Sequence, residues 1–243
     1  HGMTSTRESS KGVQGYHKGD IFGDTLKDEL AITSYLKERF GLPVVYLGHS
    51  YGSMIGQRYV EEKNDSVGAV LIGSAYMKGA LLSTGVALAK LNYAFTGGEK
   101  KGKLLDTMSF GSYNTPFKKE KRPFAWLSRD EEQCRKYFLD EQCGYVMSVA
   151  FYRYFLAGLK AAYKSENLAK IDRKKPIAIF SGSEDPVGGK GKLVTKLYEM
   201  YKAQGVEKVE MKLYTDARHE ILNEINREEV YADVAAAIDS MVG

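Results

Sequence analysis

Apolar residues in this chain fall into four short runs, set between longer stretches in which they recur every three or four positions. The runs are "PVVYLG" at 43–48, "GAVLIGSA" at 68–75, "PIAIFSG" at 176–182 and "EKVEMKLYT" at 207–215. β-Branched residues and bounding Pro or Gly mark the first three as buried strands, and the fourth reads as a further strand. Helical spacing marks "TLKDELAITSYLKERF" at 25–40, "SMIGQRYVEEK" at 53–63, "KLVTKLYEMYKAQ" at 192–204 and "REEVYADVAAAIDSMV" at 227–242. In the first of these helices Asp24 is placed to cap the start and Gly41 to end it, with Leu26, Leu30, Tyr35 and Leu36 facing a sheet. The polar, glycine-rich stretch before it reads as loop. Strands that alternate with helices predict an α/β fold, a mostly parallel sheet with helices on both faces.

Residues 76–170 break that rhythm. They are helix-like, rich in Tyr, Phe and Met, and contain no convincing buried strand. The chain is therefore expected to have a first part of an α/β core at 1–75, a helical cap or lid inserted over the sheet at 76–170, and a second part of the core at 171–243. Met108, Phe110, Trp126, Tyr145, Met147, Phe151 and Tyr152 could line a pocket in the cap or form its core. Lys100, Lys101, Lys103, Lys118, Lys119 and Lys121 read as a solvated loop face, with transient contact to an anionic membrane surface as the lesser option.

Composition narrows the classes. The chain has 243 residues and a formal charge of +4 from 35 basic and 31 acidic residues, a surplus too small and dispersed to suggest a nucleic-acid partner. Cys134 and Cys143 form no CxxC pair and have no His cluster nearby, so no metal site and no disulfide framework are expected, and reduced thiols suit a cytoplasmic protein. The longest apolar stretch, 81–95, is broken by Lys90 and Asn92 and falls short of the ~20 residues a membrane span needs, so no stable membrane insertion is expected.

The candidate chemistry centres on Gly48-His49-Ser50-Tyr51-Gly52, which follows a predicted strand and opens a predicted helix. In that setting a tight turn lifts the Ser50 side chain clear of the sheet. A side chain at either Gly48 or Gly52 is expected to crowd the turn. Ser50 Oγ would sit at a helix start, where backbone N–H groups and the helix dipole favour developing negative charge.

A serine hydroxyl is a weak nucleophile until a base takes its proton and an acid orients that base. Asp185 lies just past the third predicted strand and His219 just past the fourth, at the carboxyl edge of the sheet where such sites form. The plainer readings are an elbow serine, an Asp-Pro turn and a surface loop histidine. His49 is expected to pack beside the elbow, His17 to be exposed loop, and His1 to lie at the start of the chain. Asp216 is too near His219 in sequence to reach the far side of its ring, and Glu184 is the substitute if Asp185 fails. "GGEKKGK" at 97–103 matches a phosphate loop in spacing, but Leu104 stands where a Mg-binding Ser or Thr belongs and no strand precedes it, which argues against nucleotide binding.

In these residues the chain resembles α/β-hydrolases of the monoacylglycerol lipase and lysophospholipase type, a group that is also serine aminopeptidase-like. "LPVVYLGHSYGS", "SGSEDPVG" and "ARHEILNE" carry the resemblance, and "MSFGSYNTPF" with "FAWLSRDEEQC" resembles the cap of bacterial members. It covers essentially all 243 residues. The resemblance implies a Ser50, Asp185, His219 triad in the order this fold uses, an oxyanion held by the Tyr51 backbone N–H, and no metal or cofactor. It implies hydrolysis of a lipid or other carboxylic ester, with monoacylglycerol or lysophospholipid as substrate. A small-ester esterase or an arylpeptidase on the same triad, or a non-catalytic binding protein of this fold, are the alternatives. His1-Gly2-Met3-Thr4-Ser5 fits the tail of a family loop that follows the fourth strand. On that alignment the earlier strands and the second oxyanion donor are expected to be missing.

Overall fold

A computed structural model describes residues 11–243, so the expected alignment of His1 to Ser5 lies outside the described residues. The described chain divides into two compact units. An α/β unit comprises Leu26–Tyr76, Trp126–Asp130 and Ala162–Gly243. A helical unit comprises Met77–Ala125, Glu131–Ala161 and the described residues that precede Leu26.

The α/β unit is built on four parallel strands, β1 (Val45–His49), β2 (Gly68–Ile72), β3 (Ile177–Gly182) and β4 (Val209–Tyr214), hydrogen-bonded in that order. Leu47 lies opposite Val70, Val70 opposite Ala178 and Ile179 opposite Met211. β2 and β3 are buried at every position, as unbroken apolar runs require, whereas β1 and β4 leave positions partly exposed. On one face Val70, Ile72, Ala178 and Phe180 pack with Val230, Val234 and Ala237 of α9 (Arg227–Val242). Leu71, alternating to the other face, lies so close to Gly56 of α2 (Tyr51–Tyr59) that a Cβ there would come within 2.6 Å of its Cδ2. α8 (Lys192–Ala203) buries Val194, Leu197 and Tyr201 and packs on β3 and β4.

The first helix, α1 (Ile21–Phe40), begins a turn earlier than the sequence pattern suggests. Asp20, not Asp24, caps it: its Oδ1 accepts the Gly23 N–H at 3.0 Å. Asp24 falls in the first turn and pairs with His17, whose Nε2 lies 3.0 Å from Asp24 Oδ2, so His17 is half-buried rather than free in a loop. Tyr35 is 60% exposed and does not face the sheet. Thr33 takes the buried place, since it can return its hydroxyl proton to the Glu29 carbonyl and accept the Tyr59 hydroxyl proton at 2.9 Å.

Within the helical unit α3 (Ala80–Thr96) packs along α6 (Val149–Ala161), and α4 (Lys103–Phe110) and α5 (Glu131–Leu139) lie between them in sequence. Phe151 stacks on Phe155, and the fully buried Tyr152 donates its hydroxyl proton to Asp106 at 2.7 Å, so these two aromatic residues belong to the unit's own core. Met108 and Phe110 are exposed. Among the described residues no helix is long and apolar enough to cross a membrane.

Candidate active site

β1 ends at His49 and α2 begins at Tyr51, which leaves Ser50 alone to turn the chain. It does so at φ 52°, ψ −116°, a left-handed backbone that costs a non-glycine residue about 1–3 kcal/mol. The turn persists because its surroundings fix it. Ser50 N–H donates to the Ile72 carbonyl of β2 at 2.9 Å, and the Ser50 carbonyl accepts from Met54 N–H at 3.0 Å and the Ser53 hydroxyl at 2.6 Å. A Cβ on Gly48 would lie 2.5 Å from the Gly52 carbonyl oxygen, so glycine is obligatory there. Gly52, expected to be equally crowded, would meet nothing within 4 Å. The crowding is one-sided, because the helix backbone crosses over residue 48 while residue 52 faces open space.

Asp185 sits in the turn after β3 and is fully buried. Its Oδ1 accepts the Val187 N–H at 2.8 Å, and its Oδ2 accepts the Ser181 hydroxyl at 3.2 Å and faces His219 Nδ1 at 3.0 Å. His219, 2% exposed in the turn after β4, presents Nε2 to Ser50 Oγ at 2.8 Å. Three residues that the sequence places far apart thus form one unbroken chain of hydrogen bonds. Neither alternative acid joins it: Glu184 pairs with Lys190 at 2.5 Å, and the Asp216 N–H is held by the Ser183 hydroxyl at 2.8 Å. Tyr51 is the first residue of α2, in the turn whose N–H groups lie outside the helix's own ladder.

The electrostatics follow from this geometry. Burial opposes charge on Asp185, but the His219 ring and the donors around the carboxylate outweigh it and hold its pKa below the ordinary value. Burial likewise disfavours a charged His219, yet the facing Asp185 carboxylate holds its pKa above the ordinary histidine value. The second histidine of the site, His49, lies 5.0 Å from His219 ring to ring and reaches the His219 carbonyl at 3.3 Å through Nε2. Removal from solvent, and then the His219 ring, push its pKa down to about 4, so it stays neutral where His219 works.

Three further features shape the site. The sequence reading singles out neither Gly73 nor Glu224, and it names Trp126 only as a residue of the cap, whereas Trp126 belongs to the α/β unit beside His219. Gly73, at φ 61° just past β2, passes so close to His219 that a Cβ would stand 3.0 Å from its Cε1; a glycine directly after a buried strand was the available signal. The Trp126 ring lies 5.1 Å from the His219 ring, and Glu224 is fully buried five residues beyond that histidine. Neither carries a local sequence signature. Among the described residues no group of three or more His, Cys, Asp or Glu side chains is arranged to hold a metal ion.

An arrangement of this kind can activate a hydroxyl, since Nε2 takes the Ser50 proton while Asp185 fixes the ring and stabilises the charge it gains. Residues 8–226 match the family model described as serine aminopeptidase, S33. Among solved structures the chain is similar to a thermostable carboxyl esterase from Bacillus coagulans, at 24% identity over 91% of this chain and 73% of that one, with a TM-score of 0.81. A lipase in its open form gives 26% identity, 92% and 72% coverage and a TM-score of 0.79. A soluble variant of the Saccharomyces cerevisiae monoglyceride lipase, solved with a substrate analogue, gives 18% identity, 92% and 70% coverage and a TM-score of 0.67. No curated protein sequence matches the chain.

Proposed function

From the premise that the chain belongs to the serine aminopeptidase S33 family and has the α/β-hydrolase fold, we propose that it is a serine hydrolase that cleaves carboxylic esters of lipids. The observation that carries this reading is the relay from Ser50 Oγ through His219 to Asp185, with steps of 2.8 and 3.0 Å. Ser50 Oγ attacks the acyl carbonyl as its proton passes to His219 Nε2, and the imidazolium then gives that proton to the leaving alcohol. Water repeats the sequence on the acyl-enzyme and releases the fatty acid. The Tyr51 backbone N–H, at the positive end of α2, stabilises the tetrahedral oxyanion.

Monoacylglycerol or lysophospholipid is the substrate this reading favours. The likeness to a monoglyceride lipase and to a lipase supports an acyl ester substrate, as does the helical unit, where α4 leaves Leu104 and Met108 exposed beside the exposed lysines 100, 101 and 103. Side chains of that kind suit transient contact with an anionic lipid surface. The family description favours a second reading, an arylpeptidase on the same triad.

Fluorophosphonate labelling read by mass spectrometry tests the chemistry. Label is expected on Ser50, and none in Ser50→Ala or His219→Ala. A folded protein that takes no label would overturn the proposal. Turnover of monoacylglycerol, lysophospholipid, a short-chain ester and an aminoacyl arylamide, each presented in neutral and anionic micelles, then ranks the substrates. Preference for the arylamide would replace the esterase with the peptidase.

A further inference from the structure

We infer that Glu224 is a positioning residue for His219, acting together with the strap Trp126–Asp130. The inference rests on the serine-hydrolase reading. The strap is remote in sequence from the His219 turn, yet it runs alongside it. His219 itself is held loosely by its own backbone, with its N–H 3.4 Å from the Trp126 carbonyl. The firm bonds are on either side. Glu220 N–H donates to the Leu127 carbonyl at 2.7 Å, and Arg218 N–H donates to Glu224 Oε1 at 2.9 Å.

Glu224 closes the bracket. The same Oε1 accepts the Arg129 N–H of the strap at 3.1 Å, while Oε2 accepts Arg129 Nε at 2.9 Å and the Ile225 N–H at 3.0 Å. Ser128 adds two ties, its hydroxyl to the Asn223 carbonyl at 2.8 Å and its carbonyl to the Arg218 guanidinium at 3.2 Å. One carboxylate thus serves four donors, all in the α/β unit; three of them are backbone N–H groups, and those of Arg218 and Arg129 fix where the histidine turn meets the strap. Only an ionised, acceptor-only group can do this with both oxygens, because an amide would turn N–H against N–H at one of them. With the residues before and after His219 anchored, the imidazole cannot drift from Ser50 Oγ.

The test compares the parent with Glu224→Gln, counting active sites by fluorophosphonate stoichiometry and following ester turnover and the His219 Nδ1–H proton resonance by NMR. Misplacement of the base should lower kcat per titrated Ser50 by about 10- to 100-fold. KM should stay within about twofold, and the Nδ1–H signal should move or broaden. A kcat per titrated site within about twofold of the parent, with an unmoved signal, would overturn the inference and leave Glu224 a structural residue only, even if the melting temperature falls. Should Glu224→Gln fail to fold, Arg129→Met removes one donor and leaves the carboxylate in place; a smaller loss in the same direction is expected, and no change would overturn the inference equally. If the parent neither labels nor turns over, the esterase reading fails, while the NMR comparison still decides whether Glu224 sets the imidazole.

Discussion

Ser50 and His219 meet at 2.8 Å, but they reach that point by different means. Ser50 is placed locally. Its turn is set by Gly48, by the two helix residues that bond its carbonyl and by one bond to the neighbouring strand, and it is held in a strained backbone. His219 has no such device. It sits between anchors on a strap that lies about ninety residues earlier in the chain, and a buried carboxylate ties the two together. The nucleophile's position is thus a property of a short sequence, and the base's position is a property of the fold. Changes near Ser50 should act on the turn itself, whereas the base should be sensitive to groups that never touch it.

The largest expected effect comes from the residue that links the two styles of support. Asp185 is anchored locally by Val187 N–H and Ser181 but acts on His219 across the sheet edge. Asp185→Asn preserves shape while offering the imidazole an amide, which favours the wrong tautomer, and kcat should fall by about 10⁴-fold. Steady-state turnover checks this. A loss under about tenfold would mean that the anchored strap alone orients the ring, and the comparison would tilt further toward remote support.

The same contrast decides what could be read in the sequence. The strand, the pentad Gly48 to Gly52 and the helix after it form a contiguous pattern, so the Ser50 elbow was legible, as were the four strands and the positions of Asp185 and His219 just beyond two of them. The start of α1 was not, because two aspartates compete for the cap and the choice depends on His17 taking Asp24. Nor was the strap. Nothing in "AWLSRD" distinguishes it from the helical stretch around it, and its pairing with residues 218–224 exists only once the chain has folded. Gly52 shows the converse error: a motif position read as sterically required stands in open space.

A milder lever is pH. His219 must be neutral to accept the serine proton, and its pKa is held above the ordinary value of 6.5. The acid limb of kcat/KM should therefore have its midpoint above 6.5, with a loss of about tenfold per pH unit below it. The stability linkage has the opposite sense. A raised histidine pKa contributes stability that is fully present below 6.5 and disappears as pH rises through the folded value, while the lowered Asp185 pKa contributes stability that is lost as pH falls through its folded value. His49, pushed down to about 4, works against His219 in acid, since the unfolded chain takes up its proton first between 6.5 and about 4. A pH–rate profile with a midpoint at or below 6.5 would mean that the Asp185 contact does not outweigh burial at His219.

The smallest effect belongs to Gly52→Ala, and it separates local geometry from local motif. An added Cβ meets nothing within 4 Å, and the residue lies in the first turn of α2, where alanine favours helix over glycine by up to about 1 kcal/mol. The variant should therefore melt slightly higher than the parent and keep its turnover within about twofold. Gly48 offers no such freedom, because there the same methyl group would collide with backbone at 2.5 Å. If thermal melts and ester turnover instead show Gly52→Ala impaired while folded, the open space beside residue 52 is needed by the substrate. Ser50's surroundings would then be shaped by what the site must admit as well as by how the turn is made.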